Sequence, residues 1–326
     1  MMTASRTLLA LAGLAIASLA APVAVSAQGF PQRDITFIVP WNAGGSNDVM
    51  ARALQPILKE DGISIVIENV AGATGSIGLR RVASAPPDGY TLGMGTSSTL
   101  ALIAQGKTPL KNENFTHLVR VSTDPLLLLV PGKTGPASLE AFIDTMKKNP
   151  GSVSIGTPGT FNINHIFATM TARAAGVEFA HVAYTGGSKV VQDLSGGHLQ
   201  GGVLKPSESI GQIQEGLVRP LGVFANTRLA ALPDVPTFNE KGHDVFPFGP
   251  VIQMAYIVAP AGLPKDIEDR LTSAFRKALA DKRFRTFAEQ NSFLVDDLTG
   301  EALTKEVVGV SQALGVVADK VFPKSQ

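Results

Sequence analysis

The sequence predicts an α/β protein of two lobes, crossed twice by the chain, with a ligand cleft between them. Three observations predict this. The chain has 326 residues, long for one ordinary domain and comfortable for two. Short apolar runs alternate with helical patterns in a β-α-β-α-β rhythm, which builds a sheet with helices on its faces. That rhythm runs twice, and near Pro250 the chain returns to the first set of elements. The expected organisation is a leader over 1–27, a first lobe from 28–124 plus 251–326, and a second lobe from 125–250.

The leader has the pattern of a secretory signal. Arg6 supplies the positive start, an apolar stretch runs from Leu8 to Ala21, and Val25-Ser26-Ala27 offers small residues for cleavage before Gln28. The apolar run is short for a membrane span, and Pro22 follows it. An exported, soluble mature protein is expected.

In the first lobe, Ile35 to Val39 reads as a strand. Asn47 to Lys59 reads as a helix, with Val49, Met50, Ala53, Leu54, Ile57 and Leu58 at helical spacing. Pro56 is expected to kink or shorten it. Ile63 to Ile67 is the next strand, Ser76 to Ala83 a short helix and Tyr90 to Gly95 a third strand. The implied sheet is parallel. In the second lobe, strands are expected at Leu126–Val130, Val153–Gly156, Phe179–Ala183 and Leu221–Phe224. Helices are expected at 138–148, with Ser138 as cap, at 162–175 and around 190–195. Met254 to Val258 re-enters the first lobe. A helix capped by Asp266 and a last helix over 301–320 complete the chain.

Composition narrows the partners. The formal net charge is +1 and aromatic residues make up 6%, so no basic stripe marks a nucleic-acid partner. An anion must be held by a shaped site rather than by a global field. There is no cysteine, which removes disulfides, thiol nucleophiles and thiolate metal sites. Five histidines, at 117, 165, 181, 198 and 243, lack metal-ligand spacing. No metal and no cofactor is expected, and a monomer is.

Five segments could carry binding chemistry. Val39 to Asp48 runs strand, glycine turn, helix start. Gly44 and Gly45 let the backbone approach a ligand, and free N–H groups near Ala43, Ser46, Asn47 and Asp48 favour an anion. An ordinary tight turn would read the same way. Trp41, the sole tryptophan, stands at the cleft mouth or packs the lobes together. Gly95-Thr96-Ser97-Ser98 places small hydroxyls after a strand, for a carboxylate or as turn caps. Thr157, Gly159, Thr160, Asn162 and Asn164 surround a second helix start, with His165 in its first turn as a cap, a packing residue or a contact. Tyr184-Thr185-Gly186-Gly187-Ser188 is a further strand-end glycine loop. Lys205, ending an apolar segment, is either a charge partner for a distal carboxylate or a solvated lysine. No HExxH, no GxSxG elbow and no complete P-loop is present, since Leu127 stands where a leading glycine would precede Gly132-Lys133-Thr134.

Taken in order, these segments resemble a known family. Ile38-Val-Pro-Trp-Asn-Ala-Gly-Gly45 with Asp48, Glu68-Asn69 before Ala71-Gly72-Ala73, Pro87-Asp-Gly-Tyr-Thr-Leu92, Gly95-Thr-Ser97, Val182-Ala-Tyr-Thr-Gly-Gly187, Ala231-Leu-Pro-Asp-Val-Pro-Thr237 and Val258-Ala-Pro-Ala-Gly-Leu-Pro264 carry the likeness. The chain resembles the extracytoplasmic solute receptors of tripartite tricarboxylate transporters, also called Bug or TctC-type receptors. The resemblance implies the two-lobed periplasmic binding fold (Venus flytrap, type II) and no enzymatic activity. It also implies a carboxylate held by loops 41–48, 95–98, 157–164 and 184–188, and membrane permease subunits as partners. Lys205 departs from the family's small or polar residue and favours a di- or tricarboxylate. The alternatives are a periplasmic hydrolase using Ser97 and His165, and a ligand-binding accessory of a sensor kinase.

Overall fold

The computed structural model describes residues 29–322, so the leader over 1–27 lies outside the described residues. The first sheet contains β1 (Ile35–Val39), β2 (Ile65–Asn69), β3 (Thr91–Thr96), β4 (Phe115–Thr123), β10 (Met254–Pro260) and β11 (Leu294–Val295), in the order β11-β4-β10-β3-β1-β2. The second contains β5 (Leu126–Pro131), β6 (Ser154–Thr157), β7 (Ala180–Ala183), β8 (Gly201–Leu204) and β9 (Val218–Phe224), in the order β7-β6-β8-β5-β9. The chain passes between sheets after β4 and again before β10. Both sheets are mixed, which corrects the expectation of a parallel one. β1 runs parallel to β2 and β3, whereas the returning β10 is antiparallel to β3 and β4. A strand that re-enters from another lobe is not bound by the crossover-helix geometry that enforces parallel pairing.

Helix α1 (Ser46–Glu60) contains Pro56 and still runs to Glu60. A proline inside a helix costs about 3 kcal/mol. Here Leu54, Ile57 and Leu58 remain buried on either side of it, and each such side chain returns about 1.5–3 kcal/mol on burial. Packing therefore outweighs the lost hydrogen bond. With α8 (Lys265–Ala280) and α9 (Lys282–Gln290), α1 covers one face of the first sheet, where Phe37, Leu54, Phe275 and Phe284 share a core. Pro264 is the N-cap of α8, so Asp266 falls in the first turn, where its charge still suits the helix dipole.

The opposite face carries α2 (Ser76–Ala83), α3 (Ser97–Ala104) and the long α10 (Gly300–Val321). This core is continuous with that of the second lobe. Leu100 and Leu314 belong to one apolar cluster with Phe142 of α4 (Leu139–Lys148) and Phe167 of α5 (Ile163–Ala175). The expected cap of α4 is present, with Ser138 Oγ accepting the Ala141 N–H at 3.2 Å. The other face of the second sheet packs α6 (Gly187–Ser195), and α7 (Pro206–Gln214) follows β8. Helices α3, α7 and α9 and strands β4 and β11 were not anticipated. Serine and threonine open α3, and their hydroxyls read equally well as a turn.

Candidate functional site

A narrow cleft lies between the lobes, lined by residues of both. The chain reaches it repeatedly at the starts of helices. Ser46 and Asn47 open α1, Ser98 opens α3, Asn164 opens α5, Gly187 opens α6, and Glu208 lies in the first turn of α7; all line the cavity. Each helix start presents backbone N–H groups and the positive end of the helix dipole. Their convergence makes the space favourable for negative charge.

Loop 41–48 is shaped by Asp48. This carboxylate accepts the Gly44 N–H at 2.9 Å and the Arg52 Nε–H at 2.9 Å on Oδ2, and the Asn69 amide at 3.0 Å on Oδ1. Burial works against its charge, but the bonds from Arg52, Gly44 and Asn69 win and hold its pKa below the ordinary value. Gly44 turns the chain at φ +77°, in open space. Asp48 thus braces the loop from beneath. Trp41, Gly45, Ser46 and Asn47 face the cavity, and Ala43 lies exposed at the loop tip.

On loop 95–98, Thr96 and Ser98 face the cavity. Gly95 instead makes room for the Tyr256 ring, which a Cβ there would meet at 2.5 Å. Ser97 grips the returning chain, its Oγ donating to the Ile252 carbonyl at 2.6 Å and accepting the Met254 N–H at 3.0 Å.

Of the second-lobe candidates, Asn164, Gly187 and Lys205 line the cavity. Asn162 caps α5, its Oδ1 accepting the His165 N–H at 2.9 Å. Thr157 donates its hydroxyl to the Gly159 carbonyl at 2.6 Å and meets His181 Nε2 at 2.7 Å. Tyr184 turns away to Asp193 at 2.6 Å. Thr185, Gly186 and Ser188 meet the tip of loop 41–48. The Asn42 amide donates to Thr185 Oγ1 at 2.7 Å, Ser188 Oγ donates to the Ala43 carbonyl at 3.4 Å, and a Cβ on Gly186 would stand 3.2 Å from that of Asn42. Gly159 and Thr160 make a second clasp, in which Thr74 Oγ1 donates to the Thr160 carbonyl and accepts its N–H, both at 3.2 Å.

His165 does not face the cavity. Its ring stacks on His181 at 3.6 Å and packs on Phe322 at 4.5 Å, and its Nδ1 accepts the Phe161 N–H at 3.1 Å. Burial, with His181 adding to it, lowers its pKa to about 3. Ser97 and His165 are committed to different partners, so the arrangement a hydrolase would need is not formed.

Pro158, inside the expected loop 157–164, and two residues missed in the sequence, Glu208 and Gln253, complete the lining. Beside them lies Asp124, at the first crossover. Its backbone N–H donates to the Gln253 carbonyl on the second crossover at 2.8 Å. Its Oδ2 accepts from Ser122 Oγ at 3.0 Å and lies 3.4 Å from Lys205 Nζ. Burial raises the Asp124 pKa, and Lys205 and Ser122 offset this in part. Lys205 Nζ also reaches Ser46 Oγ at 3.4 Å, and Ser207 Oγ donates to the same oxygen at 2.9 Å. Glu208 Oε2 accepts the Lys205 backbone N–H at 3.1 Å. Burial raises its pKa too, against the attraction of Lys205. Among the buried polar atoms lining the cavity, Trp41 Nε1, Asn47 Oδ1, Thr96 Oγ1 and Gln253 Oε1 have no hydrogen-bond partner in the protein. No group of three or more His, Cys, Asp or Glu among the described residues is placed to hold a metal ion.

Two sheets forming two lobes, two crossovers and a polar cleft ringed by helix starts define a solute-binding receptor rather than an enzyme. The profile of the tripartite tricarboxylate transporter family receptor matches residues 50–306. The chain belongs to that family. It is 30% identical to Protein BugT of Bordetella pertussis over 319 residues, covering 96% of this chain and 94% of the relative. Its fold matches the periplasmic binding protein BugD with a TM-score of 0.84 at 28% identity, over 91% of this chain and 100% of BugD. It matches MatC of Rhodopseudomonas palustris, a structure with bound malate, with a TM-score of 0.81 at 28% identity, over 88% and 100% of the two chains. No helix among the described residues is long and apolar enough to cross a membrane.

Proposed function

We propose that this protein is an exported receptor that captures a small carboxylate, with di- and tricarboxylates favoured, in the cleft between its lobes. The lobes are residues 28–124 with 251–326, and 125–250. Closure delivers the ligand to the permease subunits of a tripartite tricarboxylate-type transporter. The leader over 1–27 carries the chain to the periplasm, where it works as a monomer.

The observation that carries this reading is the convergence of the starts of α1, α3, α5, α6 and α7 on one cavity that also holds Lys205. A carboxylate there accepts from backbone N–H groups and hydroxyls at low local dielectric, where charge-assisted hydrogen bonds are strong. Malate in the related MatC supports the ligand class. The permease reading is supported by family membership.

The test is a titration of the purified protein with succinate, malate, citrate, tricarballylate, aspartate and glutamate. It is followed by Trp41 fluorescence and by thermal shift, since a ligand held only by the folded state must raise the melting temperature. A saturable response in both readouts to at least one acid is expected. Silence in both across the whole series would refute carboxylate capture.

A further inference from the structure

Outside the cavity lining, the lobes also meet on an aromatic cluster with His165 at its centre. Residues 159–161 precede α5, and their partners come from the first lobe. Thr160 exchanges two bonds with Thr74, both at 3.2 Å, and the Phe161 carbonyl accepts from the Gln105 amide at 2.8 Å. Phe322, at the end of α10, sets its ring 5.2 Å from that of Phe161 and 4.5 Å from that of His165. Phe161 stands at φ +59°, a costly conformation for a bulky residue, so the surroundings must hold it there. His165 supplies that hold, because its Nδ1 accepts the Phe161 N–H at 3.1 Å. The neutral ring therefore carries its proton on Nε2. His181 lies behind it, stacked at 3.6 Å and within 8° of parallel. The Thr157 hydroxyl is spent on the Gly159 carbonyl, so His181 Nε2 is the donor to Thr157 Oγ1. The surroundings offer a second proton on His165 no counter-ion. Lys107 Nζ lies 3.9 Å from the Phe161 ring centroid, and Arg173, two turns along α5, gives its guanidinium to the Lys320 carbonyl. Asp319 and Lys320 of α10 and Glu178 before β7 are exposed, and no carboxylate acts on the titration of either imidazole.

We infer that His165 is a proton-operated latch between the lobes: a proton on its Nδ1 cancels the bond that holds Phe161, and the lobes part. The inference goes beyond carboxylate capture and does not depend on it. With Nδ1 protonated, two donors face each other across the former bond. A cation then lies parallel to His181, and Lys107 adds a like charge beyond the Phe161 ring. Parting relieves this, because it withdraws Phe322 from the ring, and Gln105 and Thr74 from the loop, and lets water reach the imidazole. The sign follows from linkage. With the lobes together, burial and His181 lower the His165 pKa to about 3, against 6.5 for an unperturbed imidazole. The joined form is thus fully favoured above pH 6.5 and loses ground as pH falls from 6.5 toward 3. With the ordinary value regained on parting, the ratio of joined to parted form falls about tenfold between pH 7.5 and 5.5.

The experiment follows the His165 ring by NMR from pH 8 to pH 4.5, without ligand, with the lobes free and with the lobes tied. Asn42→Cys with Gly186→Cys supplies the tie. The two Cβ atoms would stand 3.2 Å apart, close to the roughly 3.5–4.5 Å of a disulfide, and the chain has no other cysteine. Reduction frees the same protein, and His165→Asn assigns the signal. In the tied form His165 is expected to stay neutral down to pH 4.5. In the free form its midpoint is expected at least about one pH unit higher than in the tied form, because protonation draws on the parted form. Phe322→Ala in the otherwise unchanged chain is the independent check. It removes the cover from the first lobe and is expected to raise the midpoint by a similar amount. Equal midpoints in the tied and free forms overturn the inference, as does the absence of titration above pH 4.5 in both. A midpoint near 6.5 in the tied form overturns it as well, since the ring would then be hydrated with the lobes together. A midpoint unmoved by Phe322→Ala removes the contact with α10 from the latch. Circular dichroism at each pH separates parting from unfolding, and a titration that coincides with loss of helix overturns the inference.

Discussion

Replacing Lys205 with methionine removes the partner of a carboxylate that has little other support. Asp124 is 4% exposed, its Oδ2 is held by Ser122 Oγ at 3.0 Å, and its Oδ1 has no partner. Without the ammonium at 3.4 Å, the folded protein must bury an unpaired charge or protonate it. Protonation sets the ceiling. A carboxyl with the ordinary value of 3.8 costs about 4 kcal/mol to neutralise at pH 7, at about 1.4 kcal/mol per pH unit. Burial already raises Asp124, so part of that cost is present in the parent protein. The expected destabilisation at pH 7 is therefore about 2–4 kcal/mol, in the range for a broken buried pair. The pH dependence has a definite sign. In Lys205→Met the folded pKa of Asp124 rises further above its unfolded value, so stability is full below about pH 4 and declines as pH rises toward 7. Adding Asp124→Asn removes the charge as well and should recover the loss to within about 1 kcal/mol. Urea denaturation of the parent, the single and the double variant at pH 5 and pH 7 reads all of this. A single variant within about 0.5 kcal/mol of the parent at pH 7, or a double variant no better than the single, would refute the claim that Lys205 balances Asp124.

Other substitutions separate loop shape from fold. Gly44→Val forces a branched side chain to φ +77°, a conformation that costs about 1–2 kcal/mol; we expect the melting point to fall modestly and carboxylate affinity to drop at least about tenfold as the loop changes course. Calorimetry beside a melting curve checks it, and unchanged affinity would remove loop 41–48 from the site. Gly159→Ala would place a Cβ 2.7 Å from Thr74 Oγ1, breaking one clasp between the lobes. Small-angle scattering should then show a larger radius of gyration, and an unchanged radius counts against the clasp. His165 has its pKa lowered by burial and by His181 to about 3. A lowered pKa gives stability that is present above the unfolded value of 6.5 and lost as pH falls through the folded one. The parent should lose stability between pH 6.5 and 3, and His165→Phe should flatten that part of the profile in denaturation series.

Much of the architecture was legible because the signals were local. The run Leu126 to Val130, the Ser138 cap and the apolar face of the helix after Pro264 each identify an element without outside help. Strand direction was not legible, since the antiparallel β10 arises from the route the chain takes between lobes. Within the site, glycine and hydroxyl loops gave the positions of helix starts. They did not say which side chain would face inward. Ser98 faces the cavity while Ser97, its neighbour, holds the hinge. Gln253 and Asp124 were missed because their signal is a partnership between crossovers distant in sequence. Glu208 had a local signal that was passed over: three residues after Lys205 and just past Pro206, it had the spacing of a capping carboxylate.

The lobes meet through neutral hydrogen bonds, among them Asn42 to Thr185 at 2.7 Å, Ser207 to Ser46 at 2.9 Å and Gln105 to the Phe161 carbonyl at 2.8 Å. Each replaces a bond to water and contributes about 0.5–1.5 kcal/mol net. Against them stand the buried polar atoms of Trp41, Asn47, Thr96 and Gln253, which line the cleft without protein partners. A buried polar atom left unsatisfied costs about 1–3 kcal/mol. These unpaired atoms weigh against the hydrogen bonds and the continuous apolar core that join the lobes. A ligand that pairs with these atoms converts the opposing set into a favourable one, and its differential affinity for the closed form decides the equilibrium. In the receptor proposed above, the groups that recognise the ligand would thereby be the groups that make closure depend on it.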